Sequence, residues 1–482
     1  MTWRPAALLA AGAVLVPFLP MPRLVAVLII AAVAVLSIVD VVVAAALVDV
    51  RLTRDGDRQV RLGESAHVTL TVSNNGERVL HAEIRDAWVP SAGAVGPYSH
   101  RVSLAPGSSA RLATRLHPTR RGDRPAVRVS VRSFGPMGLA YRQYPVRRAD
   151  AATPQWTVRV LPPFTSRRFL PEKMARLRMI DGIVVTRGRG QGTEFDTLRE
   201  YVLGDDVRSV DWRASARRSD VVVRTWRPER DRRVLCVIDT GRTSAVRVGG
   251  AQPRAAADLQ AVGDPRSGAD SPAGGDPLPG APPLPGGEPL AGGGLNEPRL
   301  DAAIDAALLL ATLASRAGDR VDLLAIDTAV RAAVDGGAVQ TLPHRLAGAL
   351  ATLHPALVET DFGLVVSEIL RRERKRALVV LFTALEPGAL GEGLLPVLAQ
   401  LTSRHKVLVA AVHDPAVTDL TVRRGDAAGV YAAAAAHRTL AERDRIVTAL
   451  GRNQVEVVDA PVQLFASRVA DAYLAMKAAG RL

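Results

Sequence analysis

The run from Leu24 to Val48 is apolar except for Ser37 and Asp40. Crossing ~30 Å of hydrocarbon takes about 20 such residues. This stretch is therefore long enough to span a bilayer, and whatever folds after it does so on a tether. Ahead of it lies Ala6 to Leu19, apolar throughout but shorter and carrying Pro17, with Pro20-Met21-Pro22-Arg23 as the break between the two. A cleaved signal peptide is the competing reading of the first run, with Arg4 as its basic flank. No small-x-small cleavage site leads into a soluble segment, and a second span follows at once. Residues 1–49 thus read as a transmembrane helical hairpin. Arg4 precedes it and Arg51, Arg54 and Arg58 follow, against only Arg23 between the spans. The positive-inside rule then puts both ends in the cytoplasm, as a multi-pass cell-membrane protein with cytoplasmic soluble domains. Asp40 lies toward the cytoplasmic end of an over-long run and marks the end of the hydrocarbon span rather than a functional intramembrane carboxylate.

Over residues 50–160 the pattern changes to short, Val-rich, alternating runs: Val60–Leu62, His67–Val72, Val79–Trp88, Arg101–Leu104, Arg111–Leu116 and Val127–Ser133. Turn signals separate them, among them Asn74-Asn75-Gly76, Pro106-Gly107 and Arg121-Gly122-Asp123. This is the punctuation of a small antiparallel sandwich or barrel. His67, His81, His100 and His117 share no metal-like spacing, and no catalytic constellation is visible there.

Residues 161–232 divide into a basic connector and a dense polar segment. The connector carries Arg167, Arg168, Lys173, Arg176 and Arg178 and ends in the glycine-rich RGRGQG, which reads as a flexible hinge. It is not a dinucleotide fingerprint, because the strand–GxGxxG–long helix context is missing. In the polar segment, Thr193 is placed to cap a short helix with Phe195, Leu198 and Val202 on one face and Gly204 as its stop. A strand over Val221–Trp226 follows.

From Val234 the chain alternates strand and helix. Val234–Ile238, Val321–Ile326, Ala377–Phe382, Lys406–Val412 and Val455–Val458 are buried-strand candidates. Leu300–Arg316, Asp361–Arg374, Tyr431–Leu450 and Pro461–Ala479 are helices. That rhythm predicts a five-strand, mostly parallel sheet wrapped by helices over residues 233–482. Asp239 ends the first of those strands, where open α/β sheets place ligand sites. Residues 246–298, rich in Gly, Pro, Ala and Asp, cannot bury enough surface to offset ordering entropy and read as a disordered insertion.

The net charge of +14 fits nucleic acid or an anionic membrane surface. Stacking aromatics are sparse and no nucleic-acid motif appears, so the membrane is the expected partner and nucleic acid is not. Cys236 is the single cysteine, which excludes an internal disulfide or a zinc cluster and fits a small core hydrophobe. There is no P-loop, G-x-S-x-G, H-E-x-x-H or paired Cys, so the chain is not expected to be an enzyme. The alternatives are a hydrolase of unknown substrate built from scattered carboxylates and a nucleic-acid-binding protein using its basic surface.

From Gly192 to Arg217 the string G-T-E-F-D-x-L-R-E-Y-x-x-G-D-D-x-R-x-x-D-W-x-A-S-A-R resembles the signature of the DUF58 family, with weaker support from Pro136-Met137-Gly138-Leu139. The resemblance implies an α/β fold class: an N-terminal membrane anchor, a small antiparallel sandwich and a von Willebrand factor A-like, doubly wound, mostly parallel sheet. It also implies a non-enzymatic adaptor role beside a MoxR-type AAA+ ATPase. The signature residues Glu194, Phe195, Arg199, Glu200, Tyr201, Gly204, Asp205, Arg208, Asp211, Trp212, Ala216 and Arg217 have two readings. One is an ion-paired brace docking the segment on the first strand of the sheet; the other is a surface that recognises a partner. A-like folds often hold a divalent ion such as Mg2+ through D-x-S-x-S, a Thr and a second Asp. Here Asp239, Thr243 and Thr360 match, while Gly241 and Ala384 stand where ligands are expected, so the site is degenerate. Arg242 is a candidate to replace the cation's charge.

Overall fold

The computed structural model describes residues 2–144, 152–187, 194–202, 207–217, 220–227, 232–248, 297–422 and 425–482. They form two compact units, Met1–Pro163 with Ala347–Leu353 and Phe164–Leu346 with His354–Leu482.

The first unit opens with helices α1 (Arg4–Leu15) and α2 (Pro22–Val43), which lie against each other. Among the described residues only the second, within Pro22–Asp49, is long and apolar enough to cross a membrane; Arg4–Phe18 is shorter. Strands β1 (Val50–Gly56), β2 (Gln59–Arg61), β3 (Ala66–Asn74), β4 (Leu80–Trp88), β5 (Ala94–Val95), β6 (Ser99–Leu104), β7 (Ser109–Leu116), β8 (Gly122–Phe134), β9 (Tyr141–Gln143) and β10 (Thr157–Leu161) follow. They make two sheets, β1-β3-β7-β5 and β2-β10-β8-β4-β6, with β9 pairing β8. Alternation decides the packing: β3 and β4 bury every second residue. Leu70 and Val72 of one sheet meet Leu80, Ile84, Val129 and Val131 of the other in a shared core. The sandwich expected from the turn signals is present and antiparallel except for the β2–β10 pair, which is parallel. β1 and β10 were not visible in the sequence: β1 has no fully buried residue, and β10 is only five residues long.

In the second unit, the glycine-rich stretch expected to be a flexible hinge lies, for 188–192, outside the described residues, and helix α3 (Leu170–Arg187) occupies most of the connector. Its side chains show why it stays put. Lys173, 3 % exposed, reaches Asp471 at 2.9 Å, and Arg176 reaches the same carboxylate at 3.0 Å. Just ahead, Thr165 Oγ1 donates to Asp305 at 2.8 Å and Ser166 Oγ at 3.0 Å. Burial pushes the Asp305 carboxyl up even against those bonds.

The expected helix over the signature is also corrected. β11 (Glu194–Glu200) pairs antiparallel with β12 (Val222–Arg227), and the one-turn helix α4 (Trp212–Ser215) sits in the connection. A bulge between Phe195 and Thr197 adds a residue to β11. A three-residue spacing such as that of Phe195 and Leu198 is therefore what a bulged strand produces as well as a helix.

The remaining elements are β13 (Arg233–Asp239), β14 (Arg247–Val248), β15 (Glu297–Pro298), α5 (Arg299–Arg316), β16 (Arg320–Ile326), β17 (Val330–Val334), α6 (Leu342–Ala351), α7 (Phe362–Arg372), β18 (Leu378–Phe382), α8 (Leu395–Thr402), β19 (Lys406–His413), α9 (Pro415–Leu420), α10 (Ala427–Arg452), β20 (Glu456–Pro461) and α11 (Val462–Ala478). The sheet runs β17-β16-β13-β18-β19-β20. All pairs are parallel except β16–β17, so the five strands read from the sequence gain an antiparallel sixth at the edge. Residues on one face, including Leu235, Leu324, Val379 and Val407, pack against α7, α8 and α10. Toward the other, Phe382 meets Phe465 of α11 edge-on, with centroids 6.2 Å apart, and α5 is buried over most of its length. Double-sided cover is why these strands are continuous apolar runs. The expected disorder of 246–298 falls, for 249–296, outside the described residues; the flanks pair as Arg247↔Pro298 and Val248↔Glu297.

Candidate functional site

β13 delivers Asp239 to the carboxyl end of the parallel sheet, 3 % exposed. Three loops converge on its carboxylate. Gly241 N donates to Oδ1 at 2.8 Å and Thr360 Oγ1 to the same oxygen at 2.5 Å. Thr383 Oγ1 donates to Oδ2 at 2.7 Å and Thr243 Oγ1 at 3.2 Å. A carboxylate offers about four lone-pair directions, and here four donors meet them. The structure brings Asp239, Thr243 and Thr360 together and adds Thr383, the residue after the apolar run of β18, which the sequence did not single out. Adjacent to Asp239 is a cavity of ≈20 Å3 lined by Thr243, Arg299, Phe382, Thr383 and Phe465 among others, room for one water rather than a substrate.

This donor set does not fit a resident divalent ion. Hard cations take six or more oxygens and favour charged ones, and besides three threonine hydroxyls the site offers a single carboxylate, already met by four donors. Gly241 leaves no space for a side-chain ligand, because a Cβ there would collide with Thr360 Oγ1. Ala384 brings no oxygen, and the nearby carboxylates are engaged. Asp327, fully buried, takes Thr240 Oγ1 at 2.9 Å and Arg331 Nε at 2.7 Å. Burial opposes its charge, but Arg331, Thr240 and two backbone N–H groups outweigh it and hold its carboxyl below the usual range. Glu386 pairs with Arg299 at 2.6 Å, and Glu359 pairs with Arg242. Arg242 therefore bonds to the loop beside Thr360 rather than replacing a cation at Asp239. Among the described residues no group of three or more His, Cys, Asp or Glu is placed to hold a metal. On β13 itself, burial pushes the Cys236 thiol up to about 12, which leaves it an inert core residue.

The signature hairpin is held from within. Asp211 caps α4 by accepting from Arg213 N and Ala214 N, each at 3.0 Å, and pairs with Arg224 on β12 at 2.8 Å. The Ala214 N–H, then the Arg224 guanidinium, hold the Asp211 carboxyl below the usual range. Its ion-pair partner is Arg224, so the pair joins parts of the hairpin to each other rather than to β13. Ser215 Oγ accepts from Val222 N at 2.9 Å, Tyr201 N donates to Val221 O at 2.8 Å, and Ala216 N closes the turn on Trp212 O at 3.0 Å. Arg199 and Glu200 end β11, with Arg199 Nη1 donating to Glu200 O at 3.1 Å. Arg208 and Arg217 are exposed, and Trp212 is 66 % exposed. Val202, Val207 and Val221 are exposed as well. Glu194 and Phe195 lie on β11, their side chains outside the description, as are Gly204 and Asp205 altogether.

Comparison with known proteins adds the following. No curated protein matches the sequence. Among solved structures, the CARDB domain of a Pyrococcus furiosus protein is 16% identical over 23% of this chain and 88% of its own, at a TM-score of 0.18. Native alpha-2-macroglobulin from Escherichia coli is 18% identical over 24% of this chain and 17% of that one, at 0.20. A FixG-related protein from Vibrio parahaemolyticus is 11% identical over 23% and 96%, at 0.16. No fold or activity follows from likenesses of that size. The family described as "Protein of unknown function DUF58" matches residues 197–258 and 291–455. That match takes in most of the signature hairpin, from Thr197, and most of the sheet that carries Asp239, and the chain belongs to the DUF58 family.

Proposed function

We propose that this chain is a non-enzymatic adaptor, anchored in the cell membrane by both N-terminal helices, that presents a von Willebrand factor A-like module to cytoplasmic partners, first among them a MoxR-type AAA+ ATPase. The strand order supports the A-like reading. Counted within its own sheet from β13, it is 3-2-1-4-5-6 with an antiparallel third strand, the order of a doubly wound sheet with Asp239 at the end of the first strand. The multi-pass topology is supported by the turn that joins β8 and β9. Thr2 Oγ1 donates to Gly138 O at 2.9 Å, and Asp40 near the end of α2 accepts from Leu139 N at 2.7 Å. Both legs of the hairpin return to one turn, and so to one side of a bilayer.

The observation that carries the adaptor reading is the fully bonded carboxylate of Asp239. Where a doubly wound sheet offers its ligand site, this one has a closed hydrogen-bonded junction beside space for a single water. What faces solvent there is the rim, with the exposed Arg242–Glu359 pair. The test is photo-cross-linking of the full chain in its native membrane from position 242 and from position 212. Capture of an AAA+ ATPase is the expected result. Substrate turnover that disappears in Asp239→Asn, or labelling of the carboxyl terminus from outside the cell, overturns the reading.

A further inference from the structure

The end of α2 carries more bonding than an anchor needs. Asp40 is 1 % exposed, and its carboxylate accepts from Met137 N at 2.9 Å, Leu139 N at 2.7 Å and Ala140 N at 2.9 Å. Arg4 Nη1 grips the same turn at Met137 O, 2.7 Å away. Gly135 and Gly138 make this close approach workable: a Cβ on the first would collide with Asp40, and one on the second would come within 2.6 Å of Arg4 Nη1. Two further guanidiniums reach the last carbonyls of α2. Arg78 Nη1 donates to Val42 O at 2.9 Å and Val43 O at 3.1 Å, and Arg142 Nη2 to Val42 O at 3.5 Å.

Arg4, Arg78 and Arg142 thus share one end of an apolar helix, and none has a carboxylate partner among the described residues. Each guanidinium has five N–H donors, and main-chain carbonyls use only part of them. Exposed apolar side chains lie near this end in sequence or by contact: Val48 shortly after α2, Val79 next to Arg78, and Met137, whose carbonyl takes Arg4, at 48 % exposure. The 22 residues of α2 measure about 33 Å, so with α2 across a bilayer this end sits at headgroup depth.

We propose that Arg4, Arg78 and Arg142 form a collar that binds the phosphate of an anionic phospholipid in the leaflet where α2 ends, with Met137 and Val79 at the acyl boundary. Guanidinium forks suit phosphate oxygens. Asp40 is the positioning residue, because it fixes the turn that holds Met137 and meets Arg4. The proposal rests on the membrane anchoring proposed above.

The test uses the full chain in nanodiscs of phosphatidylcholine with phosphatidylglycerol, scored by native mass spectrometry of co-released lipid. Phosphatidylglycerol is expected to be retained in preference to phosphatidylcholine, with retention falling about fivefold for each arginine removed in Arg78→Gln and Arg142→Gln. Glutamine keeps an N–H for the α2 carbonyls, and the Arg78→Lys, Arg142→Lys double variant is expected to recover part of the preference. Equal retention of both lipids, or a preference unchanged in the glutamine variants, overturns the collar. Displacement of phosphatidylglycerol by inorganic phosphate alone reassigns the site to a soluble anion and also overturns it. Carbonate extraction separates the two readings: a chain released from membranes refutes the anchoring, whereas an integral chain with no lipid preference refutes only the collar.

Discussion

Asp40 and Asp239 are both buried carboxylates at the ends of elements, and each is held by several hydrogen bonds, three to Asp40 and four to Asp239, but their donors differ in kind. Asp40 takes three main-chain N–H groups from one turn, Met137 to Ala140. Asp239 takes one main-chain N–H and three threonine hydroxyls drawn from three loops. Main-chain donors cannot turn away once the backbone is set, so losing their acceptor strands them. A hydroxyl rotates and finds another acceptor or a water. The first arrangement fastens one helix to one turn; the second keeps several loops in register around an edge of the sheet.

The sharpest way to break this comparison is Asp40→Ala. Three stranded N–H groups are expected to cost on the order of 3 kcal/mol, read as a lower denaturant midpoint for the full chain in detergent. Asp239→Ala is expected to cost less, about 2 kcal/mol, because the threonines can re-pair; a larger loss than for Asp40→Ala would reverse the ranking. Next in size is an acid effect at Asp327. Its folded pKa is depressed, so its contribution is present above the ordinary carboxylate range and is lost as pH falls through the lower folded value. Arg331→Met raises that folded value, so the decline in melting temperature below about pH 4 should become shallower. Trp212→Ala is expected to move stability by no more than about 0.5 kcal/mol while abolishing cross-linking from position 242; a large drop in melting temperature would make Trp212 a core residue instead. Smallest of all is Mg2+, which should leave the melting temperature unchanged. A saturable rise that is absent in Asp239→Asn would restore a metal to the site.

The parallel sheet was legible because its strands are covered on both faces and so appear as unbroken apolar runs, as in Val234–Ile238 and Ala377–Phe382. β17 was not, since only Val334 among its five residues is buried and an exposed edge leaves no such run. In the signature, the bulge in β11 set the apolar spacing to that of a helix, and local periodicity pointed the wrong way. At the site, Asp239, Thr243 and Thr360 could be found from a motif. Thr383 could not, because it lies one residue before the position the motif expects, and only the fold brings it to Oδ2. Arg224 escaped for a related reason: its carboxylate partner, Asp211, lies 13 residues earlier across the α4 turn.

The short pairing of Arg247–Val248 with Glu297–Pro298 works as a stem. Chain leaving the sheet after the Asp239 loop comes back beside its point of departure, so the length of what lies between is uncoupled from the geometry of the sheet. Related chains can therefore differ widely in size at this one point while keeping the same loops around the same carboxylate, and a reporter domain spliced in there should leave both undisturbed.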